Sequence, residues 1–88
     1  MPWRISFTYK AQESLEKLDE RTKERALSKI IWLRDNFDQI NPLPLSNEWQ
    51  GFFKLRVGDQ RIIYNIYRPE KEITIHKIDR RDKVYRRK

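Results

Sequence analysis

Cysteine is absent from this 88-residue chain. No disulfide framework and no thiolate metal site can be built, and a reducing cytoplasm is the expected setting. Histidine occurs once, at His76, so the commonest acid–base side chain is scarce. No apolar run approaches the roughly 18 residues needed to span a bilayer. The opening Met1-Pro2-Trp3-Arg4-Ile5 lacks the apolar stretch of a signal peptide. Repeats, linkers and low-complexity stretches are missing too. At this length the expectation is a single domain over 1–88, closing one core between two packed layers.

What is there is charge. Hydrophobic and charged residues each make up 38% of the chain, enough apolar material to fold but with little to spare. The net charge of +7 is unevenly placed. Residues 1–44 hold eight basic and seven acidic side chains, whereas residues 45–88 hold twelve basic and six acidic. The last ten residues alone carry six basic against two acidic. A small domain with so basic a C-terminal half is expected to meet a polyanion.

Alternation from Trp3 to Tyr9 predicts a strand with Trp3, Ile5, Phe7 and Tyr9 on one face. Ala11 to Leu18 is helix-like. Asp19 is placed to cap a longer helix reaching about Phe37, with Ala26, Leu27, Ile30, Leu33 and Phe37 on one stripe. Trp32 falls nearly opposite that stripe, either as a partner contact or as a surface tryptophan over a loop. Asp38 to Gln50, with Pro42, Pro44, Ser46 and Asn47, reads as a loop. Two strand-like runs then flank Gly58-Asp59, and a last strand runs from Glu72 to Ile78. The fold class is therefore α+β, ordered β-α-α-β-β-β, with an antiparallel sheet covered on one face by two helices.

A two-residue turn fixes register. Phe53, Leu55, Ile62 and Tyr64 then share the face under the helices. Lys54, Arg56 and Arg61 share the other face with Phe52, Ile63 and Asn65. Arg61 is accordingly expected outside the core. If Tyr67 pairs with Glu72, His76 lies beside Ile63 on the Lys54 face, in a position more often structural than catalytic. Beyond the last strand, Arg80-Arg81 and Tyr85 combine phosphate-binding forks with an aromatic ring able to stack on an unpaired base.

The run Phe53-Lys54-Leu55-Arg56-Val57-Gly58-Asp59-Gln60-Arg61-Ile62-Ile63-Tyr64 resembles the central hairpin signature of the RelE/ParE toxin superfamily. Arg81, followed by Val84-Tyr85-Arg86, resembles that family's closing motif. The resemblance implies a RelE-like fold and the toxin of a type II toxin–antitoxin pair. RelE-type members enter the ribosomal A site and cut the messenger RNA there, using its 2′-hydroxyl as nucleophile. ParE-type members poison DNA gyrase instead and have largely lost the basic catalytic set. A third alternative is a degenerate member that only binds RNA or its antitoxin. Retention of Lys54, Arg61, Arg81 and Tyr85 favours the RelE type.

By that resemblance Lys54 is the general base, Arg61 holds the non-bridging oxygens, Arg81 serves the leaving oxygen, and Tyr85 stacks on or orients a base. Arg56, Arg80, Arg86 and Arg87 are expected to contact RNA. No cofactor or metal is implied. The implied partners are a cognate antitoxin, a ribosome with mRNA in its A site, and ribosomal RNA. Two departures stand out. Phe52 replaces a second family lysine, and Asp79-Arg80 replaces a glycine-histidine pair found in relatives.

Overall fold

The computed structural model describes residues 2–80. Strand β1 (Arg4–Phe7) leads into Thr8, whose hydroxyl accepts a hydrogen bond from the Ala11 amide at 3.1 Å. That cap starts helix α1 (Tyr9–Glu16) two residues earlier than the apolar pattern indicates, because a capping oxygen satisfies an amide that the first turn cannot. Asp19 takes the N-cap position of α2 (Glu20–Asp35) without a capping bond from its side chain. The Thr22 hydroxyl beside it holds the Asp19 carboxyl below the ordinary range. The expected reach to Phe37 divides. The α-helix stops at Asp35, and Phe37 enters the core from a short 3-10 helix over Phe37–Gln39.

Strands β2 (Leu43–Pro44), β3 (Phe53–Val57), β4 (Gln60–Tyr67) and β5 (Glu72–Arg80) complete a five-stranded sheet ordered β1-β5-β4-β3-β2. The α+β fold expected from sequence is present, with two refinements. β1 runs parallel to β5, whereas the other pairs are antiparallel. Tight turns force antiparallel pairing only on neighbours in sequence, and β1 and β5 lie at opposite ends of the described chain. The second refinement is β2, two residues within the stretch expected to be loop, paired with Phe53 and Lys54. Among the described residues no helix is long and apolar enough to cross a membrane.

The β3–β4 hairpin has the register that its two-residue turn implies: Val57 opposes Gln60, Arg56 opposes Arg61, and Phe53 opposes Tyr64. Gly58 takes a left-handed φ of 57°, and a Cβ there would lie 3.2 Å from the Arg25 guanidinium. The helix-side face of the sheet buries Ile62, Tyr64, Ile73, Ile75 and Ile78 against Ala11, Ile30 and Leu33. Phe37 packs on Trp3 with ring centroids 4.6 Å apart, and the Trp3 indole donates to Asp38 at 2.9 Å.

One irregularity controls the outer face. In the β4–β5 ladder Ile63 opposes Lys77 while Tyr64 opposes Ile75, so His76 is the extra residue of a β-bulge. Ile75 and Ile78 both reach the core, which leaves His76 and Lys77 together on the outer side.

Candidate nucleic-acid interface

Two rows cross the outer face. Lys54, Ile63 and Lys77 form one, and Arg56, Arg61 and Asp79 form the other. The structure thus brings Lys54, Arg56 and Arg61 together as the hairpin register requires, and adds Lys77. Strict alternation hides Lys77, because it places residue 77 on the same side as Ile73 and Ile75. The signal was the three-residue interval from Ile75 to Ile78, which breaks a period of two.

Arg56 stands directly opposite Arg61, an arrangement that costs stability unless negative charge is near. Asp79 flanks Arg61 from β5, and its carboxylate also lies 3.8 Å from the Lys77 ammonium. These two rows set four cations against the one carboxylate of Asp79, a formal charge of +3.

Arg61 corrects an expectation. It lies on the outer face but is only 1% exposed, the one buried charged side chain among the described residues. Its strand is the middle one of the five, so neighbours flank it on both sides. Lys54 is half-buried and Arg56 exposed. The three differ in depth, with a fixed charge at the centre and reachable ones around it.

Arg80 does not join this cluster. It pairs with Gln60 at the end of β5, where alternation from Ile78 turns it to the helix side. There it lines a polar cavity of about 210 Å³ with Asp19, Thr22, Arg25 and Asp59. Arg81, Tyr85, Arg86 and Arg87 lie outside the described residues.

His76 is on the outer face, as expected, but the bulge displaces it from the position beside Ile63. Its ring meets Phe52 edge-on, with centroids 4.8 Å apart, and Phe52 meets Trp49 edge-on at 5.5 Å. Nε2 of His76 is buried with no hydrogen-bond partner among the described residues. Desolvation pushes its pKa below the ordinary histidine value, so the imidazole is neutral at pH 7. Phe52 occupies the place of the absent lysine as the middle ring of this aromatic run. On the helix side, burial pushes the Tyr64 phenol up to about 12, which removes it from acid–base chemistry at neutral pH. Trp32 is 40% exposed, under the Lys29 ammonium at 4.0 Å from its ring centre.

Residues 5–85 match the family model described as the ParE toxin of the type II toxin–antitoxin system parDE. The chain belongs to the ParE toxin family. A curated relative, Toxin RelG of Mycobacterium tuberculosis, is 31% identical over 91 residues, covering 99% of this chain and all of the relative. The toxin–antitoxin complex RelBE2 from Mycobacterium tuberculosis contains a chain with a TM-score of 0.71 and 26% identity, covering 92% of this chain and all of that one. A chain of the archaeal RelE–RelB complex from Pyrococcus horikoshii gives a TM-score of 0.72 at 22% identity, covering 92% of this chain and 97% of that one, a likeness of fold alone. This ParE-family chain is thus a type II toxin of the RelE/ParE superfamily with a RelE-like fold, as its hairpin motif implies.

Proposed function

We propose that this toxin is a ribosome-dependent endoribonuclease that cleaves messenger RNA in the A site and so stops translation. The observation that carries the reading is the clustering of Lys54, Arg56, Arg61 and Lys77 on the sheet face opposite the helices. Four cations on one surface suit a phosphodiester chain, whose charges repeat along its length.

Cleavage by an internal 2′-hydroxyl requires removal of its proton, stabilisation of the pentacoordinate phosphorane, and a proton for the departing 5′-oxygen. Lys54 takes the 2′-hydroxyl proton. Arg61 holds the non-bridging oxygens. At 1% exposed it reaches those oxygens only once bound RNA uncovers its guanidinium, and a charge fixed by packing then stabilises the developing negative charge without reorganisation. Arg81 stabilises the departing 5′-oxygen or gives it the proton it needs, and Tyr85 stacks on or orients a base. Arg56 and Lys77 raise the local potential, and Arg86 and Arg87 contact ribosomal RNA.

We infer a cognate antitoxin as the second partner. RelE-type neighbours are found assembled with RelB. An acidic or amphipathic antitoxin segment over the outer face would relieve the repulsion between Arg56 and Arg61 and exclude RNA together. A gyrase-inhibiting reading is favoured by one observation, the ParE description of the matching family. Toeprinting of a translated message with purified toxin separates the two. Cleavage within the A-site codon supports the nuclease. Intact messages with failing DNA supercoiling replace it with the gyrase inhibitor.

A further inference from the structure

Trp49, Phe52 and His76 form a run of rings at the Lys54 end of the outer face, and no step of the proposed cleavage uses Trp49. The loop that carries Trp49 and Phe52 is built rather than loose. Leu45, 7% exposed, anchors one end, and its amide donates to the Phe52 carbonyl at 2.9 Å. Inside that closure the Trp49 amide donates to Ser46, Gln50 to Asn47, and Phe52 to Trp49, all between 3.0 and 3.1 Å. Two left-handed residues, Asn47 at φ 60° and Gly51 at φ 94°, turn the chain sharply enough to bring Trp49 back onto Phe52.

The rings of the run meet edge-on, and none is stacked face to face on another within it. Trp49 and Phe52 meet at 89°, and Phe52 and His76 at 86°. A perpendicular contact uses the edge of one ring and one face of the other, so ring faces remain uncovered by the partner. Trp49 and Phe52 are both half-buried. Lys54 follows Phe52 by two residues on the same side, about 7 Å along the strand. Trp49 meets Phe52 at 5.5 Å, so the aromatic run stands beside a basic side chain, the pairing by which single strands are held: aromatic face for a base, basic groove for the backbone.

We propose that Trp49, braced by Phe52 and His76, is a stacking shelf for an unpaired RNA base next to the nucleotide whose 2′-hydroxyl faces Lys54. The inference deepens the nuclease reading and depends on it for RNA as the ligand. The shelf gives Phe52 a different use: where a lysine would hold a phosphate, the phenyl ring supports a base. Stacking tolerates any base but favours the larger rings, so the shelf biases binding towards purines at that position.

The test is binding of fluorescein-labelled hexaadenylate and of an abasic ribose-phosphate hexamer to the full chain, without ribosomes. Trp49→Leu keeps apolar bulk and removes the aromatic face. It is expected to weaken hexaadenylate binding by about 5- to 150-fold, the range of one stacked base, and to leave the abasic hexamer unchanged. Trp49→Phe restores most of the loss. Equal binding of hexaadenylate by Trp49→Leu and parent, or equal loss for both hexamers, overturns the shelf. A second measurement does not depend on that variant folding. In Trp32→Phe the remaining indoles are Trp3, in the core, and Trp49. Hexaadenylate should quench tryptophan emission and the abasic hexamer should not, and absence of quenching overturns the proposal. Quenching by a toxin that leaves messages intact on the ribosome refutes the nuclease reading and keeps the shelf.

Discussion

At the scale of single residues, depth separates side chains that the sequence makes look alike. Lys54, Arg56 and Arg61 are equivalent in a binary pattern, yet Arg61 is buried and Arg56 is exposed. The burial was not legible, because alternation assigns a face and not a depth. It alters what substitution does. Arg61→Ala should lower ribosomal cleavage by roughly 10²–10³, the effect of removing one preorganised transition-state charge. It should also cost about 1–3 kcal/mol of stability through lost packing. Thermal melts beside cleavage rates separate the two effects. Arg81→Ala should abolish cleavage as well, and cutting at the parental rate by that variant refutes its assignment. Leu55→Ala gives the contrast: partly buried against the core, it should lose activity only through stability, at a cost of roughly 1–3 kcal/mol, below that of a fully buried leucine.

His76 makes a prediction in pH. Desolvation lowers its folded pKa below its unfolded value near 6.5. Between those values the unfolded chain binds the proton and the folded chain does not, so stability rises with pH in that window. The contribution is fully present above about 6.5 and is lost as pH falls towards the folded pKa. His76→Phe should therefore flatten the melting-temperature profile just below pH 6.5 relative to the parent. Parallel profiles would show that the imidazole is not desolvated.

At the scale of elements, the hairpin register was readable, and the last strand was readable from Glu72 but not in the faces its residues take after the bulge. A glycine in a two-residue turn leaves one register, so the placement of Lys54, Arg56 and Arg61 followed from spacing alone. Gly58→Ala should cost about 1–2 kcal/mol, since a Cβ penalises the left-handed φ and crowds the Arg25 guanidinium. A denaturant titration checks this, and an unchanged midpoint contradicts the turn geometry. In β5 the bulge at His76 changes the face of every residue after it, which is how Lys77 joins the cations and Arg80 leaves them. β2 was unreadable for another reason: two residues, one of them a proline, carry no periodicity. The parallel pairing of β1 with β5 joins distant segments that no local signal links.

At the scale of the whole molecule, charge and topology act together. Helices cover one side of the sheet, and the other carries Lys54, Arg56, Arg61 and Lys77, so the proposed RNA binding is confined to one side. Binding of single-stranded RNA should weaken with salt, each neutralised phosphate adding roughly 0.7 to the slope of log affinity against log salt. Lys77→Gln should reduce that slope by about one such increment, and an unchanged slope removes Lys77 from the interface. The reaction and the existence of an antitoxin partner were expected only through family resemblance, and codon choice was not legible at all, because no local pattern in this chain encodes them.

The most direct measurement is toeprinting on purified ribosomes stalled with a defined codon in the A site, using the toxin and its Arg61→Ala variant. A new 3′ end within that codon is expected for the toxin, and its loss or slowing by at least about 10²-fold in the variant. An uncut message with the folded, antitoxin-free toxin, or equal cutting by both proteins, contradicts the nuclease reading.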